Sequence, residues 1–176
     1  MVETGAPRRF TFKVVFLGDA AVGKTSIVAR HVTSCFNQDI APSLGANLTS
    51  RDYNVAGQPV TLLIWDIAAQ EAFSRVRQQY YNGAKALFLV YDVTRPGTFE
   101  DIMVWLDDFN KTVKRKVPTV LVGNKVDLPA AVRSASGEKL AHDIGATFVE
   151  TSAKTGQNVE DLFEQIVNLL VKESYP

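Results

Sequence analysis

Four short stretches of this chain carry side chains whose types and spacing can do chemistry. The first, "GDAAVGKTS" from Gly18 to Ser26, lies between the apolar "FKVVFLG" and the helix-like "SIVARHV". It fits G-x-x-x-x-G-K-[ST] through Gly18, Gly23, Lys24 and Thr25, in the strand–turn–helix context that gives the pattern meaning. There, successive backbone N–H groups through Ala20, Ala21, Val22 and Gly23 to Ser26 can curl around a phosphate. Glycine permits the close approach, and the helix N-terminus adds partial positive charge. Lys24 can reach the β- and γ-phosphates, and the Thr25 hydroxyl can ligate Mg²⁺. The bland alternative is a glycine-containing turn that matches by chance, and the loop by itself does not separate GTP from ATP.

Two further stretches bear on the base. Asn124-Lys125-Val126-Asp127 follows the apolar "VPTVLVG", and Thr151-Ser152-Ala153-Lys154 follows "ATFVE". A carboxylate such as Asp127 can accept two N–H bonds, which guanine offers and adenine does not. The Ala153 N–H could donate to the guanine oxygen, and the Lys125 and Lys154 stems could cover the base faces. Either tetrapeptide alone reads equally well as a polar loop; both together, behind a phosphate loop, point to guanine. The fourth stretch is "LIWDIAAQEAF". An apolar strand delivers Asp66, Gln70 follows four residues later, and Ala68 and Ala69 stand where a phosphate-facing loop usually carries glycine.

The elements that must position these loops are legible from periodicity. Short β-rich segments recur at 12–17, 48–55, 60–65, 86–91, 117–122 and 147–149, with helical patterns between most of them. Segments 48–55 and 60–65 read as a hairpin around "AGQP". The last helix has Val159, Leu162, Phe163, Ile166, Val167 and Leu170 on one face, with Asn158 as its expected cap. The expected fold is a three-layer α/β domain, with a six-stranded, mostly parallel sheet and one antiparallel edge. Ligands of such sheets sit at the carboxyl ends of the strands, where all four stretches fall.

At 176 residues, with 46% apolar and 10% aromatic residues, the chain is long enough for one domain with a sizeable core. Lys+Arg and Asp+Glu balance at 19 each, which argues against nucleic acid or a charged surface as partner. The single Cys35 allows no internal disulfide, and "MVETGAPRRF" lacks a signal-peptide apolar stretch, so a cytoplasmic setting is expected. Residues 1–9 read as a flexible terminus, 10–172 as the domain and 173–176 as a tail.

"GDAAVGKTS", "WDIAAQE", "NKVD" and "ETSAK" fall in the order and at the spacing of the Ras superfamily of small GTPases, and the chain resembles that superfamily over essentially 10–172. "QQYYNGA" and "LFLVYDVT" look most like the Rab branch. The resemblance implies a GTP/GDP-binding switch with Mg²⁺ as cofactor, a role in membrane trafficking or signalling, and effector, exchange-factor and GTPase-activating partners near 36–48 and 66–81. It implies Phe36 against the guanine edge and Ser43, where Rabs commonly have Thr, on Mg²⁺ and the γ-phosphate. Asp66 would hold a magnesium-bound water, the Ala69 N–H would meet the γ-phosphate, and Gln70 would orient the attacking water, so Gln70 and Lys24 are the catalytic candidates. Rab chains continue to C-terminal cysteines; "VKESYP" has none, so membrane attachment is expected only through a lipidated tail beyond it.

The chain departs from D-x-x-G-Q at Ala69. If the loop needs φ > 0 there in one nucleotide state, the methyl costs about 1–3 kcal/mol, roughly a 5- to 150-fold bias against switching or turnover. The alternative is a loop that uses φ < 0 throughout and tolerates the methyl. Two rivals stand beside the switch reading: a GTP-binding interaction module with little turnover, and a P-loop ATPase or small-molecule kinase. Ala20 reads as a milder departure. No arginine lies between Phe36 and Ser43 to act in cis. Trp65, Tyr80 and Leu48 are partner-facing candidates whose competing use is packing. His31 and His142 are expected at the surface, Cys35 as a small apolar filler, and "KTVKRK" as a solvated helix end.

Overall fold

The computed structural model describes residues 9–36, 45–70 and 74–174. The elements, in order, are β1 (Phe10–Leu17), α1 (Lys24–Thr33), β2 (Ala46–Val55), β3 (Gln58–Ile67), α2 (Ser74–Tyr81), β4 (Ala86–Asp92), α3 (Pro96–Glu100), α4 (Ile102–Thr112), β5 (Thr119–Asn124), α5 (Ser134–Ile144), β6 (Thr147–Thr151) and α6 (Val159–Ser174). They build one six-stranded sheet in the order β2-β3-β1-β4-β5-β6, in which only the β2–β3 pair is antiparallel. The expected architecture is therefore observed.

The central strands are buried end to end because helices cover both faces; all seven residues of β4, "ALFLVYD", are buried. On one face Phe16, Phe88 and Phe163 stack, with Phe16 and Phe88 ring centres 4.3 Å apart, against α1 and α6. On the other, Tyr81, Tyr91, Trp105 and Phe109 fill the space beneath α2, α4 and α5. The hairpin turn is tighter than "AGQP": Ala56 and Gly57 alone make it, with φ of 50° and 82°, and Gln58 and Pro59 already belong to β3.

Register sets the site. Phe16 pairs with Asp66 across β1–β3, so Asp66, next to last in β3, lies beside the start of the loop that follows β1. Asp92 pairs with Asn124, and Asn124 with Thr151, which lines up three polar residues on adjacent carboxyl ends. Among the described residues no helix is long and apolar enough to cross a membrane.

Three expectations fail. His31 is fully buried, its ring stacked on Phe163 at 3.7 Å and 7° between α1 and α6. Its Nδ1 lies 3.0 Å from Glu160 Oε1 and its Nε2 2.5 Å from the Tyr53 hydroxyl, while Arg51 of β2 donates to its carbonyl. Burial, which Glu160 only partly offsets, pushes the imidazole down to about 4, so it is a neutral core residue rather than a surface one. Cys35 is exposed, because it lies past the end of α1 instead of on its buried face. Asn158 precedes α6, but its side-chain amide donates to the Glu150 carbonyl at 2.8 Å. His142 is at the surface as expected.

Candidate functional site

The loop from Gly18 to Gly23 is shaped by close approaches. A Cβ on Gly18 would fall 2.1 Å from the Val90 carbonyl oxygen, and one on Gly23, at φ 101°, would fall 2.2 Å from Asn124 Nδ2. These two positions exclude any larger residue. Ala21 takes φ 60° without that freedom. The α1 N-terminus then begins at Lys24 with no side-chain cap, leaving its first N–H groups available to an anion.

Lys24 is buried, and its Nζ donates to the Gly18 and Asp19 carbonyls at 2.7 and 2.8 Å. Burial lowers its pKa to about 8, against the pull of Asp66 and Asp19 and with the help of Arg77 and Arg95. An anion placed beside it would raise that value again. The Thr25 hydroxyl donates to Asp66 Oδ2 at 2.5 Å. Two hard oxygen donors from α1 and β3 thus meet beside the lysine, a donor set suited to Mg²⁺.

Asn124 ties the loops together. Buried at 1% exposure, it donates from Nδ2 to the Val22 carbonyl at 2.9 Å. Its Oδ1 accepts from the Thr151 hydroxyl at 3.1 Å and the Ala153 N–H at 3.3 Å. Lys125, at φ 73°, donates to the Ala21 carbonyl at 2.7 Å and pairs with Asp92 at 2.7 Å. Burial works to raise the Asp92 carboxyl, but hydrogen bonds from Lys125 and Thr94 outweigh it and hold the group below its ordinary value. Asp127 is exposed, and its Oδ1 accepts from the buried Ser152 hydroxyl at 2.6 Å. Ser152 in turn accepts from the Thr155 N–H at 3.1 Å. Lys154 is exposed beside Ala153, and Ser26 is half-buried in the first turn of α1.

Ala69 and Gln70 are half-buried at the end of the β3 loop. Ala69 is absent from the positive-φ residues, and its carbonyl accepts from Arg77 Nη1 at 3.0 Å. Phe36 packs against the core cluster on the α1–α6 face. Ala20 is exposed, its carbonyl accepting from Arg95 at 2.8 Å. Ser43 lies outside the described residues, as do residues 1–8 of the expected N-terminal segment and 175–176 of the tail. Trp65 and Tyr80 rings sit 5.4 Å apart and pack on the core, whereas Leu48, opposite Trp65 in register, is 53% exposed.

Sequence reasoning overlooked Asp92, Arg95, Asp19, Trp105 and Arg77, which brace these loops. An acidic residue at the end of β4, level with Asn124, was the one available signal.

A sequence model of the Ras family matches residues 13–172. The chain is 38% identical to Ras-related protein RABA5c of Arabidopsis thaliana, across 90% of this chain and 75% of that protein. It is 38% identical to Ras-related protein Rab-2B of Dictyostelium discoideum, across 92% and 81%. Ras-related protein Rab-37 of Homo sapiens matches at 40%, across 91% and 73%. The loops at the strand ends, tied together through Asn124, are thus carried by a chain that belongs to the Ras family of small GTPases and is Rab-like.

Proposed function

We propose that this chain is a Rab-like GTP/GDP switch with Mg²⁺-dependent hydrolysis and slow turnover, acting in membrane trafficking as a cytoplasmic or peripherally membrane-bound protein. The observation that carries the guanine reading is Asn124. Its one amide joins the phosphate loop at Val22 to the base loop at Ala153, so phosphates and base are held by a single rigid unit.

In this reading Gly18–Ser26 cradles the phosphates, with Lys24 on the β- and γ-oxygens. Asp127 accepts the two guanine N–H groups, oriented by Ser152, while Lys125, Lys154 and Phe36 flank the base. Thr25, Ser43 and the Asp66-held water would hold Mg²⁺, which supplies charge neutralisation between the β- and γ-phosphates. Gln70 aligns the attacking water, and the Ala69 N–H meets the γ-phosphate. Catalysis is positioning plus electrostatics, with no covalent intermediate. The γ-phosphate then orders the segments near 36–48 and 66–81 into a surface that effectors, exchange factors and GTPase-activating proteins read.

Slow turnover rests on Ala69. Its φ is not positive here, so the strain of a flip falls on the other nucleotide state. The nucleotide reading is tested by fluorescent GDP and ADP titrations on the wild type and Asp127→Ala. GDP should bind at least about a hundredfold tighter than ADP, and Asp127→Ala should lose about a hundredfold for GDP alone, as expected for two charge-assisted bonds. Equal affinity for the two nucleotides would return the chain to the ATPase or kinase reading.

A further inference from the structure

Arg77 of α2 has no nucleotide-binding or metal-holding role above, and it is held from three sides. Its guanidinium lies over the Trp105 ring at 4.7 Å, its Nε is 4.0 Å from Asp108, and its Nη1 donates to the Ala69 carbonyl at 3.0 Å. The side chain is only 11% exposed. Asp108 is itself fixed, accepting from the buried Tyr81 hydroxyl at 2.8 Å. The Trp105 indole N–H donates to Asp19 of the phosphate loop at 2.7 Å. One unbroken set of contacts therefore runs from Asp19 through Trp105 and Arg77 to Ala69.

The consequence follows from the planarity of the peptide bond. The Ala69 carbonyl and the Gln70 N–H belong to one rigid unit, so fixing the oxygen fixes where the Gln70 side chain starts. A planar guanidinium, stacked and ion-paired before it makes this bond, imposes that direction with little entropy left to lose. We infer that Arg77, backed by Trp105, is a positioning residue that sets the Ala69–Gln70 peptide against the phosphate loop and so aims Gln70 at the attacking water. The inference rests on the hydrolytic reading of Gln70 above.

The test pairs hydrolysis with amide exchange. In single-turnover GTP hydrolysis Arg77→Ala should slow the wild type about tenfold, since small misplacements of a catalytic group have effects of that size or more. Arg77→Lys, which keeps charge without the planar stack, should recover only part of the rate. In a Gln70→Ala background, Arg77→Ala should change the rate less than twofold, because the group it aims is gone. Exchange at the Ala68–Gln70 amides should rise at least tenfold in Arg77→Ala, with GDP affinity within twofold of wild type. An equal tenfold loss in both backgrounds, or unchanged exchange, overturns the inference. Should Arg77→Ala fail to fold, Arg77→Lys and Trp105→Phe carry the same cycle with the same two outcomes. Should the wild type not hydrolyse GTP, the hydrolytic reading falls separately, and the exchange measurement alone decides the Ala69 anchor.

Discussion

Two pairs of adjacent alanines follow β1 and β3, and their backbones differ. Ala20-Ala21 lies in the phosphate loop, and Ala21 holds φ 60°, a left-handed conformation that disfavours a methyl. Ala68-Ala69 lies at the end of β3, and neither takes positive φ. The Ala68 N–H donates to the Gly45 carbonyl at 2.7 Å, and the Ala69 carbonyl is held by Arg77. In the first pair Ala21 is strained as it stands, and the second pair is relaxed. If the proposed switch flips the loop at Ala69, a methyl there bears on switching, whereas one at Ala21 bears on the shape of the loop after β1.

That difference orders the tests. Binding should collapse most when the loop after β1 loses its charge: if the buried Lys24 meets the phosphates as proposed, Lys24→Ala should weaken GDP by about a thousandfold in titrations with fluorescent nucleotide. A loss under tenfold would detach the first alanine pair from phosphate binding altogether.

The pH dependence has a definite sign. Free Lys24 has its pKa lowered to about 8, and a bound polyphosphate raises it, so binding takes up a proton above pH 8. GDP affinity should fall about tenfold from pH 7 to pH 9, and calorimetry in buffers of different ionisation enthalpy should detect the proton uptake. Chelating Mg²⁺ should speed GDP release by about tenfold or more in stopped flow, as expected if Thr25 and Asp66 hold the ion. Neither perturbation should distinguish Ala69→Gly from wild type.

His31 supplies a remote control. Its folded pKa of about 4 lies below the unfolded value near 6.5, so the unfolded chain binds the extra proton. Stability is intact above pH 6.5 and is lost as pH falls toward 4, by at most about 1.4 kcal/mol per unit from this group. The groups facing it are Glu160, Arg51 and the Tyr53 hydroxyl. Urea unfolding of His31→Phe should show a shallower acid slope than wild type with nucleotide affinity unchanged. The smallest effect belongs to Ala21→Gly: relief of φ 60° should raise stability by about 1 kcal/mol and leave single-turnover hydrolysis unaltered.

The sheet was legible because its central strands are continuous apolar runs and its loops carry dense motifs at strand ends, both local signals. "DIAAQ" pointed to Asp66 and Gln70 through its resemblance to the Ras-superfamily motif. What the chain hid is set by distant partners. His31 reads as polar on a helix until Phe163 of α6, far along the chain, stacks upon it. The positive φ at Ala21 depends on the loop closing under Lys125, whose Nζ takes the Ala21 carbonyl. The motif departs at Ala69, while the strained methyl is that of Ala21. Arg77 and Trp105 resemble ordinary helix residues until α2 and α4 are packed together.

The central claim is that the Ala69 methyl slows the reset of a guanine-nucleotide switch without weakening its hold on nucleotide. Single-turnover GTP hydrolysis by the wild type and by Ala69→Gly, with GDP affinity measured in parallel, tests it directly. Glycine should raise the rate between about 5- and 150-fold at affinities within about twofold. Equal rates for the two proteins would contradict it.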